Sequence, residues 1–217
     1  GVTTAWARRW HLLTAVVAIV AVGLQLVLVV RGGQVLDEVT PPGLGLRLPR
    51  FVAYFTVQSN VLLALTATTL ALDPLRDGPV WRVLRLAGIV GITVTGLVHF
   101  VLLRPLLDLD GADWAADKLL HMVVPVLAII GWTAFGPRPR VTRREVGWAL
   151  AWPVAWLALT LTVGGTTGWY PYPFLDPRED GTGSVVVASA GVTLLFLALF
   201  TLVSYLDRRL PAVPGAD

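Results

Sequence analysis

The sequence predicts an all-α, polytopic membrane protein: a single bundle of six transmembrane helices over residues 1–217, with both chain ends on the cytoplasmic side. Three observations predict it. Six apolar runs each reach the roughly 18 to 20 residues needed to cross about 30 Å of hydrocarbon. Only 14% of residues are charged and 55% are apolar, with a mean hydropathy of +0.72, against about 25% charged in an ordinary soluble domain. The charges are clumped between the apolar runs, and the cations favour one set of connections.

The runs fall near 10–30, 51–72, 83–103, 118–135, 146–163 and 184–206. The first follows Arg8 and Arg9 and is longer than the apolar region of a signal peptide, so it reads as an anchor. With the N-terminus inside, 11 of the 17 cations lie on cytoplasmic segments, the arginines of 138–144 foremost. The longest connections, 31–50 and 164–183, lie outside, are rich in Gly and Pro, and read as loops. No span repeats another, so the internal symmetry of many secondary transporters is not evident. The absence of cysteine excludes disulfides, thiolate metal sites and cysteine nucleophiles. The pI near 9.8 is basic, but the arginines are spread over short loops. The excess reads as topological, with no nucleic-acid partner.

A strongly polar residue within a span is a functional-site hypothesis by default. Here such residues share one depth. Thr56 lies roughly 7 Å into the second span from outside, His99 at a similar depth in the third, and His121 about one turn inside the fourth. Thr56 and Asn60 are i and i+4, with Ser59 beside them; Gly91, Thr95 and His99 form a stripe. Asp117 and His121 are again i and i+4, so the carboxylate can orient the imidazole. Pro125 cannot donate to the carbonyl of His121 and predicts a kink there. The fifth connection carries Trp169, Tyr170, Tyr172 and Phe174 between prolines, a stiff aromatic segment able to cover the site and contact substrate.

Blander readings stand beside these. A transmembrane Thr commonly bonds the carbonyl of the previous turn. Asp117 could be an N-cap, and the Trp169–Phe174 segment an interfacial aromatic belt. Trp148, Trp152 and Trp156 recur every fourth residue, as packing and anchoring residues do. His11 belongs to the opposite membrane face. What resists the bland account is the coincidence of depth.

Tyr54-Phe55-Thr56-Val57-Gln58-Ser59-Asn60, His121-Met122-Val123-Val124-Pro125 and Trp169-Tyr170-Pro171-Tyr172-Pro173-Phe174-Leu175 occur in this order. The set resembles the androgen-induced/FAR-17a family of multispanning membrane proteins, and more closely its six-span bacterial relatives. The resemblance covers the second to the sixth span. It implies a bacterial plasma-membrane protein and, from characterised animal members, a hydrolase of fatty acid esters of hydroxy fatty acids. Those members use a threonine nucleophile and a histidine, roles that by motif position fall to Thr56 and His121. The sequence departs from them at Ser59-Asn60, where animal members tend to be acidic, and in the extra Tyr-Pro of the aromatic motif.

The chemistry also follows from the residues. A threonine hydroxyl attacks an ester only if a base takes its proton, and a histidine can do so near neutral pH. The expectation is an intramembrane, Thr/His-dependent carboxylic ester hydrolase acting on a lipid or acyl ester, without cofactor or metal. Thr56 and His121 are the catalytic pair. Asp117 orients the imidazole, Asn60 or Ser59 donates to the oxyanion, and His99 supports. The rivals are a redox protein with haem between His99 and His121, and a transporter or small-ligand receptor that only binds.

Overall fold

The computed structural model describes residues 3–32 and 41–214. Six helical segments are long and apolar enough to cross a membrane: Thr4–Val30, Phe55–Leu72, Pro79–Leu106, Gly111–Phe135, Arg143–Thr167 and Pro177–Arg209. The protein is therefore an all-α, multi-pass membrane bundle, and no strand occurs among the described residues. The first, second, fifth and sixth spans are α1 (Thr4–Val30), α3 (Phe55–Leu72), α7 (Arg143–Thr167) and α8 (Pro177–Arg209). The third is α4 (Pro79–Val98), continued by a π-helical turn, His99–Leu103, and a 3₁₀ turn, Arg104–Leu106. The fourth joins α5 (Gly111–Lys118), a π turn (Leu119–Val123), α6 (Val124–Ile130) and a second π turn (Gly131–Phe135).

Two expectations are corrected at the outer end. The first outer connection is not all loop: α2 (Leu44–Ala53) occupies its second half, while residues 33–40 lie outside the described residues. Its exposed Leu44, Leu46, Leu48 and Val52 suit a helix resting on a membrane surface. The second span does not run unbroken from residue 51, because Tyr54 adopts an extended conformation (φ −66°, ψ 129°) that ends α2 and lets α3 restart at Phe55.

α3 and α4 are the most deeply buried spans, whereas α7 and α8 turn most of their surface outward. Small residues govern the close approaches: a Cβ on Gly91 of α4 would sit 2.6 Å from the Trp152 ring of α7. α7 packs on α4, and α8 on α4 and on the short turn at Pro173–Leu175, but α7 and α8 scarcely touch each other.

Helix C-termini leave carbonyls without donors, a costly state near hydrocarbon. Arginines supply them. Arg8 donates to Ala71 and Leu72 at the end of α3. Arg47 reaches Val29 and Val30 at the end of α1. Arg138 serves Trp132 and Thr133 at the end of the fourth span, and also Pro211. Arg178 serves Gly168, the left-handed cap of α7 (φ 76°). The N-terminal end of α1 and the C-terminal end of α8 lie at the same end of the bundle, the one bearing most of the arginines.

Candidate functional site

The break at Tyr54 makes Thr56 the second residue of α3, so its N–H is among those a helix start leaves unpaired. The N–H donates instead to the hydroxyl of Tyr172 at 3.1 Å, and the same phenol lies 3.1 Å from Thr56 Oγ1. From the fourth span, His121 Nε2 comes within 3.3 Å of Thr56 Oγ1. Its Nδ1 faces Asp117, 2.9 Å from the backbone carbonyl and 3.2 Å from Oδ1. Asp117 Oδ1 also accepts from His99 Nε2 at 2.8 Å, and Lys118 Nζ lies 3.2 Å from Oδ2. Thr56, His99, Asp117, His121 and Tyr172 are all buried.

Both histidines stand on π-helical turns, a local widening that often marks functional positions. The second turn corrects the expectation about Pro125. Val124 N–H donates five residues back, to Leu119. In that register Pro125 deprives the carbonyl of Leu120, not of His121, of its donor. Asn60 Nδ2 supplies it from α3 at 3.2 Å.

The hydrogen bonds fix one consistent set of protons. Asp117 accepts only, so His99 holds its proton on Nε2 and His121 on Nδ1. His121 Nε2 then presents a lone pair to the Thr56 hydroxyl, and Tyr172 donates to Thr56 Oγ1 while accepting from Thr56 N–H. Burial raises the pKa of Tyr172 above the ordinary phenol value, with hydrogen bonds from Thr56 opposing it, so the phenol remains a donor at neutral pH.

Not every expected residue faces the Thr56 hydroxyl. Asn60 gives its amide to the carbonyls of Thr56 and Leu120, and Ser59 lies within 3.0 Å of the Thr56 carbonyl and 2.8 Å of Thr95 Oγ1. Both brace the first turn of α3 and neither points at Thr56 Oγ1, which corrects their expected oxyanion role. In the aromatic segment, Tyr172 and Phe174 line the cavity described below. Trp169 instead packs edge-on against Tyr54, and Tyr170 fills the space beside Gly164, where a Cβ would sit 2.0 Å from its ring. Trp152 and Trp156 pack around Phe55 and clamp the helix break, Trp156 Nε1 donating to the Ala53 carbonyl at 2.8 Å.

Thr56, His99 and Tyr172 form the polar end of a cavity of about 440 Å³. Its remaining wall is almost wholly apolar, including Val94, Leu103, Leu157 and Phe196. The wall is shared by α7 and α8, two helices that scarcely touch each other.

His99, Asp117 and His121 offer three donor atoms within 4.8 Å of one another, a candidate metal set. Its orientation argues against that use, because the Lys118 ammonium already occupies one side of Asp117 and His121 Nδ1 is directed at a backbone carbonyl. The two imidazoles stack with centroids 3.8 Å apart and planes 15° from parallel. That geometry does not fit a haem held between His99 and His121, since no macrocycle can enter so narrow a gap. The contact of Tyr172 with the Thr56 hydroxyl has no sequence signal beyond its place in a proline-stiffened aromatic run. Comparison with family models, curated proteins and solved structures returned no match.

Proposed function

We propose that this protein is an intramembrane acyl-ester hydrolase in which Thr56 is the nucleophile. The observation that carries the reading is the chain of contacts Thr56–His121–Asp117, each within 3.3 Å, beside an apolar cavity walled in part by α7 and α8. Those distances sit at the loose end of hydrogen-bond reach for a hydroxyl, its base and the orienting carboxylate, as is common in a site without substrate.

In the proposed reaction, Thr56 Oγ1 attacks the ester carbonyl as His121 Nε2 takes its proton. The Asp117 carboxylate stabilises the resulting imidazolium. The oxyanion is received by the Thr56 N–H, at the positive end of α3, and by the Tyr172 hydroxyl. The C–O bond of the ester breaks, and His121 gives its proton to the departing alkoxide. A water then attacks the threonyl ester, His121 again takes a proton, and the free acid leaves with Thr56 restored. The cavity suits an aliphatic acyl chain delivered sideways from the outer leaflet. The motif resemblance supports the same class of chemistry and a bacterial plasma membrane. A receptor would need the cavity but not the buried Thr–His–Asp chain, which favours the enzyme.

Purified protein treated with a fluorophosphonate probe and with chromogenic esters of increasing chain length tests this. Thr56→Ala is expected to abolish labelling, and His121→Ala to reduce it by roughly 10³-fold or more. Labelling unchanged in either variant sinks the assignment. Loss of activity on chelation would point instead to a metal on His99, Asp117 and His121.

A further inference from the structure

A second site lies at the opposite, arginine-rich end. Arg85 is on α4, six residues and roughly 9 Å inside its start at Pro79. It is only 5% exposed, its Nε has no hydrogen-bond partner, and among the described residues no acid pairs with it. None of the neighbouring acids forms an ion pair with Arg85, although Asp207 Oδ1 is itself without a hydrogen-bond partner. Asp77 bridges Arg82 at 2.6 Å and Arg140 at 3.3 Å, Glu145 accepts from Thr142, and Asp207 Oδ2 accepts from the N–H groups of Arg140 and Val141. Arg138 is spent on the carbonyls of Trp132, Thr133 and Pro211. A buried guanidinium left without an anion is costly, and at this depth of a membrane protein it marks a binding position.

Arg85 shares a small cleft with Arg82 and Arg140, whose other walls are Leu86, Ile89, Trp132, Pro137 and Val141. Of these three arginines, Arg82 and Arg140 bridge Asp77, and the Glu145 and Asp207 carboxylates act on Arg82 as well, so Arg85 is the one left without an acidic partner. The enclosed volume is about 10 Å³, enough for one water and too small to engulf a solute. A ligand must therefore present an anionic oxygen from outside while laying apolar matter against Leu86, Ile89 and Trp132. We infer that the cleft binds the phosphate of an anionic phospholipid in the adjacent leaflet, the cytoplasmic one by the positive-inside rule. Arg85 is the deep contact, Arg82 and Arg140 form the rim, and the glycerol and first methylenes lie on the apolar wall. The inference is independent of the chemistry proposed for Thr56.

The test is reconstitution in nanodiscs of phosphatidylcholine alone or doped with phosphatidylglycerol, read by native mass spectrometry and by the thermal midpoint. Phosphatidylglycerol is expected to remain bound and to raise the midpoint. Arg85→Met, which keeps a long apolar stem, should weaken retention by roughly tenfold or more. Arg209→Gln, which removes one exposed charge at the same end, should leave it unchanged. If Arg85→Met does not fold, the pair Arg82→Gln and Arg140→Gln serves, with a smaller loss expected in each. Equal retention in wild type and variants overturns the site, as does a wild type that gains nothing from phosphatidylglycerol. An equal rise with inorganic phosphate in detergent overturns the lipid assignment in favour of a free anion.

Discussion

At the scale of single residues, Asp117 carries the densest set of contacts. Its carboxylate meets His99, His121 and Lys118, while its carbonyl also faces His121 Nδ1. In hydrolases whose histidine is oriented by a carboxylate alone, the amide variant loses about 10⁴-fold through the wrong tautomer. Here the carbonyl holds the Nδ1 proton as well. Asp117→Asn is therefore expected to cost less, roughly 10²-fold in kcat, with the thermal midpoint measured alongside. Tyr172→Phe removes one donor from the proposed oxyanion site while keeping the ring packed on Tyr54 and Phe174. It should lower kcat by about 10²-fold or more with KM little changed; a change confined to KM would return Tyr172 to a substrate-covering role. Thr56, His99, His121 and Asp117 were legible in the sequence because polar residues at one depth of a membrane have few innocent explanations. Tyr172 was not, since a tyrosine at an interface is ordinary and only the fold carries its hydroxyl to Thr56.

Whole elements show what pattern reading misses. The six apolar runs are plain, but hydropathy averaged over a span cannot see a one-residue break such as that at Tyr54. The π turn before Pro125 was equally hidden, because a proline identifies the orphaned carbonyl only once the register is known. This register makes a quantitative prediction. Asn60→Leu strands the Leu120 carbonyl and should cost about 1–3 kcal/mol. Pro125→Ala restores a donor that the π register can direct to Leu120, so Asn60→Leu should cost less in that background. A double-mutant cycle on thermal unfolding, with a coupling of roughly 1 kcal/mol, is the expected result; strictly additive effects would contradict the assigned pairing.

For the whole molecule, arginine does two jobs that a charge count merges. The bias of cations toward one end sets orientation, yet Arg8 and Arg138 at that end also finish helices by donating to their last carbonyls. The two roles separate by mutation. Arg138→Gln should lower stability by about 1–3 kcal/mol, because several buried carbonyls lose their donor. Arg143→Gln, with the same change in charge, should stay within about 0.5 kcal/mol. Denaturation in a fixed detergent compares them. The seam between α7 and α8 belongs to this scale as well, since the sequence of neither helix announces that its neighbour stands apart.

The Tyr172 contact has a consequence for biogenesis. Thr56 leaves the ribosome early, in the second span, whereas the tyrosine that completes its surroundings sits between the fifth and sixth. During synthesis the first four spans can insert with Thr56 and His121 already adjacent but with the Thr56 N–H unpaired. On the proposed reading, the site is complete only with the last hairpin, after the rest of the chain has been committed to the bilayer. A nascent chain halted before that hairpin holds Thr56 and His121 but lacks the phenol that completes the proposed oxyanion site.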